Sequence, residues 1–252
     1  MKASFRIACF VLMLPTALLT GCALEPTIPG LEPNLRTLRA WEGGRRPLAD
    51  NQITALNQFT VALLRNRKYS QANLFSHKLL TLSRRDLGRE HPETLSALND
   101  IAVLYYMQGR HNKAKPLFKR VLAARERVLG RNHPDTLLSI DNLSKLYQSQ
   151  GRYGKAAPLI ARVTRAKERA LGRDHPEILL DLDNLAALYE MQGRYDQMEP
   201  LYLRVLAARE RTLGKDHPHT LGIINNLAVF YQSQGRHDAA KWLMARAGSK
   251  KR

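Results

Sequence analysis

Apolar positions along this chain recur with the period of a helix, and that pattern itself recurs with a longer period. Leu98, Ile101, Ala102 and Tyr105 fall at i, i+3, i+4 and i+7, and after Gln108-Gly109-Arg110-His111 the same spacing returns in Ala114, Leu117, Phe118 and Val121. The spacing predicts two amphipathic helices separated by a tight turn. Gly109 stands where the first helix must stop, and a residue without a Cβ turns the chain most easily there. The second helix ends at Leu129-Gly130, and the next opens on His133-Pro134, with proline preset for the first helical turn.

The whole segment Leu87–Val128 begins again at Leu129, Leu171 and Leu213, a constant spacing of 42 residues. The first and third copies are identical at 25 of 42 positions, far more than shared helical composition would produce. A lone helix pair cannot bury its apolar stripe, whereas stacked copies can, so an all-α, right-handed solenoid is expected. Residues 51–86 fall into the same register: Asn57 under Asn99, Tyr69 under His111, Ala72 under Ala114 and Phe75 under Leu117. This stretch lacks the Gly-x-x-His-Pro start and has Arg67-Lys68 in place of Gly-Arg, as suits a degenerate capping repeat. The expected organisation is therefore a first repeat at 51–86, four repeats over 87–247 and a basic tail at 248–252, about five helix pairs in all.

In one copy Ile101, Ala102, Tyr105, Gly109, His111, Ala114 and Phe118 carry a spacing that resembles the tetratricopeptide repeat. The length of 42 residues and the run Leu-Gly-x-x-His-Pro-x-Thr-Leu resemble the kinesin-light-chain subtype, longer than the usual repeat of about 34 residues. Two positions depart from the pattern. Met198 stands where alanine is expected, and Trp242 replaces the proline found at Pro116, Pro158 and Pro200, which points to an altered terminal helix.

The amino-terminal segment is of a different kind. Lys2 and Arg6 precede an apolar run from Ile7 to Leu19, too short for a permanent membrane span, and then comes Leu19-Thr20-Gly21-Cys22. That tetrapeptide resembles the lipobox of bacterial lipoproteins. The resemblance implies removal of residues 1–21, lipidation of Cys22 and a membrane anchor, with Ala23 matching the outer-membrane sorting pattern. The alternatives are an ordinary secreted chain with a chance cysteine, or a cytosolic one with an apolar start. Residues 22–50 then read as a tether rich in proline and glycine. Its 28 residues beyond Cys22 would reach roughly 85 Å extended and about 30 Å as a flexible coil. Cys9 and Cys22 are the only cysteines, so the mature chain would have neither a disulfide nor a free thiol.

Charge adds a second compositional signal: 40 Lys+Arg against 22 Asp+Glu, a net +18, or +16 without Lys2 and Arg6. Much of it lies in the second helix of each copy, at Arg120, Arg125 and Arg127, at Arg162, Lys167 and Arg169, and at Arg204, Arg209 and Arg211. A solvated convex face is one reading, favoured by the dipole at a helix carboxyl end. Attraction to anionic headgroups or to an acidic partner is another. A secreted address argues against nucleic acid.

Nothing in the sequence reads as catalysis. His91, His133, His175 and His217 recur, but at equivalent places in successive repeats roughly 16–20 Å apart, too far to share a metal ion. The same spacing separates Asp141 from Asp183. No Gly-x-Ser-x-Gly or phosphate-binding glycine loop occurs, so no enzyme activity, metal or cofactor is expected.

The first helices carry the candidate function. Asn57, Asn99, Asp141, Asp183 and Asn225 share one repeat position, and Gln58, Asp100, Asn142, Asn184 and Asn226 the next. By resemblance the first helix of each pair lines the concave groove, so these side chains would form a polar ladder inside it. Carboxamides both donate and accept, which suits them to an extended peptide backbone. The alternative is that they cross-link adjacent helices. Neighbouring positions vary between copies: Val103, Tyr106 and Met107 become Lys145, Gln148 and Ser149, then Ala187, Glu190 and Met191. The expected function is a lipid-anchored scaffold of the bacterial envelope, facing the periplasm from the outer membrane. It would bind extended segments of other proteins in the assembly of an envelope complex. An accessory regulator of an envelope enzyme and a basic binder of lipid or glycan are the competing readings.

Overall fold

The structure, a computed structural model, describes residues 47–248, which fall within one compact unit, Pro47–Arg252. The expected signal segment, Cys22, the tether up to residue 46 and the tail from residue 249 lie outside the described residues. Among the described residues there are ten helices and no strand: α1 Asp50–Arg65, α2 Tyr69–Asp86, α3 Pro92–Met107, α4 His111–Val128, α5 Pro134–Ser149, α6 Tyr153–Leu171, α7 Pro176–Glu190, α8 Tyr195–Thr212, α9 Pro218–Ser233 and α10 His237–Gly248. Successive helices pack in pairs, and each second helix also packs on the first helix of the next pair. The result is a solenoid of five helix pairs.

The recurring histidines are helix caps. His91, His133, His175 and His217 each precede the proline that opens a first helix. Their Nδ1 atoms accept the backbone N–H two residues on, at 3.3, 3.1, 3.3 and 3.2 Å. Each ring thereby satisfies one of the donors that a helix start leaves without a partner.

The turn inside each pair depends on a left-handed backbone. At Gly109, with φ 71°, the amides of Gly109 and Arg110 bond the carbonyls of Tyr106 and Tyr105. In the first pair Arg67 occupies the glycine position at φ 56°, and its amide and that of Lys68 make the equivalent bonds to Leu64 and Leu63. The turn survives without its glycine because packing on both sides overrides a local cost of about 1–2 kcal/mol.

Burial follows the 42-residue register. Leu98, Ile140, Leu182 and Ile224 are all buried at one position, and Ile101, Leu143, Leu185 and Leu227 at another. One apolar cluster runs through three repeats, from Ala102 and Phe118 through Leu143, Tyr147 and Ile160 to Leu185 and Leu188. No pair owns its core, as expected of a one-dimensional stack. Met198 is fully buried where the other copies bury Ala114, Ala156 and Ala240. The core there takes the larger side chain alongside Tyr202, Val205 and Leu227.

The second helices are joined by a row of ion pairs with the same spacing. Arg162 meets Glu126, Arg204 meets Glu168 and Arg246 meets Glu210, each 36 positions back. Arg127–Glu90 and Arg211–Asp174 add a more exposed pair of contacts. Part of the basic character of these helices is thus neutralised between repeats.

Candidate functional site

The polar ladder divides along its length into a buried end and an open end. Asn57, Asn99 and Asp100 are buried, Asp141, Asn142 and Asp183 are half-buried, and Asn184, Asn225 and Asn226 are exposed, as is Gln58. The buried members are occupied inside the stack. Asn57 Nδ2 donates to the backbone carbonyl of Glu93 at 3.1 Å and also bonds its carboxylate, which in turn accepts from Thr54 Oγ1 at 2.7 Å. Asn142 Nδ2 donates to Asn99 Oδ1 at 3.0 Å, joining α3 to α5. Asp183 bonds Arg209 of α8. These contacts correspond to the cross-linking role at the near end of the ladder. The carboxamides left open to solvent are Gln58, Asn184, Asn225 and Asn226, with Asn142 partly so.

Behind the ladder lies a position that the sequence reading assigned to a solvated face. Arg125 is 2% exposed, and Lys167 and Arg209 are its counterparts one and two repeats on. Arg125 Nη1 donates to the carbonyl of Asp135 at 3.0 Å and to Ser139 Oγ at 2.9 Å, and its Nη2 donates to Ser96 Oγ at 3.0 Å. Lys167 Nζ donates to Asp181 at 3.0 Å, and Arg209 bonds Asp183 and the carbonyl of His219. Arg125 and Arg209 each reach between two first helices, and Lys167 reaches one, α7. The solvated-face reading is therefore corrected for Arg125. It sits on the apolar stripe Ala114, Phe118, Val121, Arg125, whose spacing of i, i+4, i+7 and i+11 was the available signal.

These cations stand against the ladder's carboxylates. Burial pushes the carboxyl of Asp100 up to about 7, against the opposing pull of the Arg125 charge and a hydrogen bond from Asn99. Burial likewise raises Asp183 to about 6, opposed by Arg209, and raises Asp141, opposed by Lys145 and Lys167. Carboxyl groups this enclosed hold a proton more readily than free ones, and they are poorly placed to meet a ligand.

A second, solvent-facing stripe runs beside them on the same helices. Leu138, Asn142, Lys145 and Ser149 on α5 are matched by Leu180, Asn184, Ala187 and Met191 on α7, and by Gly222, Asn226, Val229 and Ser233 on α9. Leu138, Leu180, Met191 and Val229 are exposed, Met191 at 63%, as is Met107 on α3. An apolar side chain above and below a free carboxamide offers both burial and hydrogen bonding to an incoming chain. Among the described residues no group of histidine, cysteine, aspartate or glutamate could hold a metal ion, and no helix is long and apolar enough to cross a membrane.

Comparison with known proteins gives the same architecture. The tetratricopeptide repeat family matches at residues 94–135 and 136–177, and again, through a second description of that repeat, at 174–247. A putative kinesin light chain with nearly identical repeats from Podosopora anserina has a solved structure that is 25% identical. The match covers 79% of this chain and 94% of that one, with a TM-score of 0.65. BtubC (BKLC) from P. vanneervenii is 18% identical over 79% of this chain and 78% of its own, with a TM-score of 0.61. A Rap protein solved in complex with competence and sporulation factor is 12% identical over 78% of this chain and 63% of its own, with a TM-score of 0.52. No curated protein matches the chain significantly. With matches spanning 94–247, more than half of its length, on a stack of five helix pairs, this chain belongs to the tetratricopeptide repeat family and is built like the kinesin-light-chain-like members.

Proposed function

We propose that this protein is a scaffold that binds extended segments of other proteins along the open stripe of α5, α7 and α9. The observation that carries this reading is the difference between the bonded positions of the first helices and those left open. Asn57 and Asn99 are consumed by contacts between repeats, whereas Leu180, Asn184 and Met191 with Asn226 and Val229 remain exposed, and the side chains around the recurring asparagine change from copy to copy. A feature needed only for stacking would recur in every repeat; this stripe does not. Its chemistry suits a backbone held by carboxamides and flanked by apolar side chains.

The place of action we propose is the bacterial envelope. Leu19-Thr20-Gly21-Cys22 after a short apolar run supports lipidation at Cys22, with the following segment as a tether and the solenoid facing the periplasm from the outer membrane. Metabolic labelling with a fatty acid tests the anchor: label is expected on the natural chain and absent from Cys22→Ala. A soluble, unlabelled natural chain refutes it.

A photo-crosslinking residue placed at Ala187, on the stripe, tests the binding reading in living cells, with one at Leu203, exposed on α8, as the reference. Capture at 187 that is absent at 203 and lost on Asn184→Ala with Leu180→Ala is the expected result. Equal capture at both positions, or capture indifferent to those substitutions, refutes it.

A further inference from the structure

Part of the basic charge left over after pairing gathers on α4 and at the start of α6. Segments 110–120, 152–162, 194–204 and 236–246 are equivalent in register, yet their charges differ sharply. The first contains Arg110, Lys113, Lys115, Lys119 and Arg120 and no acid, and the second adds Arg152 and Lys155 beside the paired Arg162. The third has Asp196 and Glu199, and Glu199 is bonded to Arg236 at 2.9 Å and to Tyr231 at 2.7 Å. Stacking does not require a basic excess here, because the third copy stacks with Arg194 and Arg204 balanced by Asp196 and Glu199.

The leftover cations are neighbours in space. Slight burial, then the charges of Arg152, Lys119 and Lys155, hold the Lys115 amine below the usual lysine range. The charged groups acting on it are all cations, drawn from both α4 and the start of α6. Lys113, Lys119, Arg152 and Lys155 are exposed. Lys113 lies 5.8 Å from the centre of the Tyr105 ring, and Lys115 the same distance from that of Tyr147, so tyrosines rather than carboxylates flank the amines. Like charges crowded without a counter-ion raise the free energy of the isolated protein, and an anionic surface relieves that repulsion.

We propose that the edge of the solenoid formed by the start of α4 and the start of α6, carrying Lys113, Lys115, Lys119, Arg152 and Lys155, docks on an anionic phospholipid bilayer. The composition favours a bilayer over an acidic polypeptide. Four of the five groups are lysines, compact charges on flexible stems that suit diffuse headgroups, whereas recognition of individual carboxylates favours the planar fork of arginine. Basic side chains near an anionic leaflet act additively, each by about a factor of five in affinity, or about 1 kcal/mol. The proposal is independent of the groove, which lies on other residues. A lipid at Cys22 would raise the effective concentration of the surface without being needed for its recognition.

Lysine footprinting tests it on the full chain. Protein mixed with vesicles of phosphatidylcholine alone, or of phosphatidylcholine with a phosphatidylglycerol minority, is acetylated with an amine-reactive reagent and mapped by mass spectrometry. Lys113, Lys115, Lys119 and Lys155 are expected to lose most of their reactivity with the anionic vesicles only, while Lys215 keeps its own. Protection should disappear at high salt, where the screening length falls to about 3 Å at 1 M. Charge reversal at Lys115 and Lys155 to glutamate, with melting followed by circular dichroism to show an intact fold, should abolish protection at Lys113 and Lys119. Equal reactivity with both vesicles overturns the proposal. So does protection by polyglutamate without protection by anionic vesicles, which would assign the edge to an acidic protein instead.

Discussion

The side chain of Asn142 donates a hydrogen bond to Oδ1 of Asn99 across 3.0 Å, linking the first helices of neighbouring repeats over 43 positions of sequence. Asn99 is buried, so its carbonyl has no easy replacement from water. Asn142→Ala is expected to lower stability by about 1–2 kcal/mol, the cost of a buried acceptor left alone. Asn184→Ala, on the exposed counterpart, should stay within about 0.5 kcal/mol. Urea midpoints of the two variants check the contrast, and equal losses would contradict it.

Arg125 anchors more of the structure than its class suggests. Removing it as Arg125→Met takes the donor from the Ser96 hydroxyl, breaks the bonds to Ser139 and the Asp135 carbonyl, which remain bonded to each other, and removes the charge beside the buried Asp100. A loss of about 1–3 kcal/mol is expected, the cost of buried polar groups left without their partner. Adding Asp100→Asn to that variant should recover part of the loss above about pH 7, where the natural carboxyl is ionised. A double-mutant cycle with no coupling would separate the two groups energetically.

Stability should depend on pH through Asp100. Its carboxyl sits at an ordinary 3.8 when unfolded and at about 7 when folded, so between these values the folded chain holds a proton that the unfolded chain has released. The contribution is fully present below 3.8 and is lost as pH rises through about 7, by at most about 1.4 kcal/mol per pH unit. Asp183 adds a second decline that ends near pH 6. The difference in urea midpoint between Asp100→Asn and the natural chain should therefore grow with pH over this window. A difference independent of pH would remove Asp100 as the cause.

The turn at Arg67 offers a stabilising change. Its φ of 56° is one that a glycine adopts without strain, as Gly109 does at 71° in the next repeat. Arg67→Gly is expected to raise stability by up to about 1 kcal/mol, the relief of strain being reduced by the greater freedom of glycine in the unfolded chain. Thermal melting checks the sign, and a lower melting temperature would show that the arginine side chain contributes more than its backbone costs.

How much of this was legible in the sequence depends on the kind of interaction. The repeat length, the helix pairs, the turns at Gly109 and its counterparts and the starts at His-Pro are set by neighbours within a few residues, so periodicity and backbone preference sufficed to place them. Arg67 shows the boundary of that reasoning: its register named it a turn position, but only packing decided that an arginine would accept a left-handed backbone there. Asn142 and Asn184 share one repeat position, yet one is bonded across repeats and the other open to solvent. That outcome depends on the preceding first helix, which offers Asn99 to the one and has Asp141 at the matching position for the other.

The same distinction governs the charges. Sequence alone determined that the chain is basic and that the excess lies in the second helices. Tertiary structure decided that Arg125 is buried between first helices, that Arg162, Arg204 and Arg246 are neutralised by glutamates 36 positions away, and that Lys115 and Lys155 are left together without an acid. The physical reason is range. Helix period and capping are local and can be read along the chain, whereas burial and charge pairing depend on distance across a stack whose neighbours are tens of residues apart.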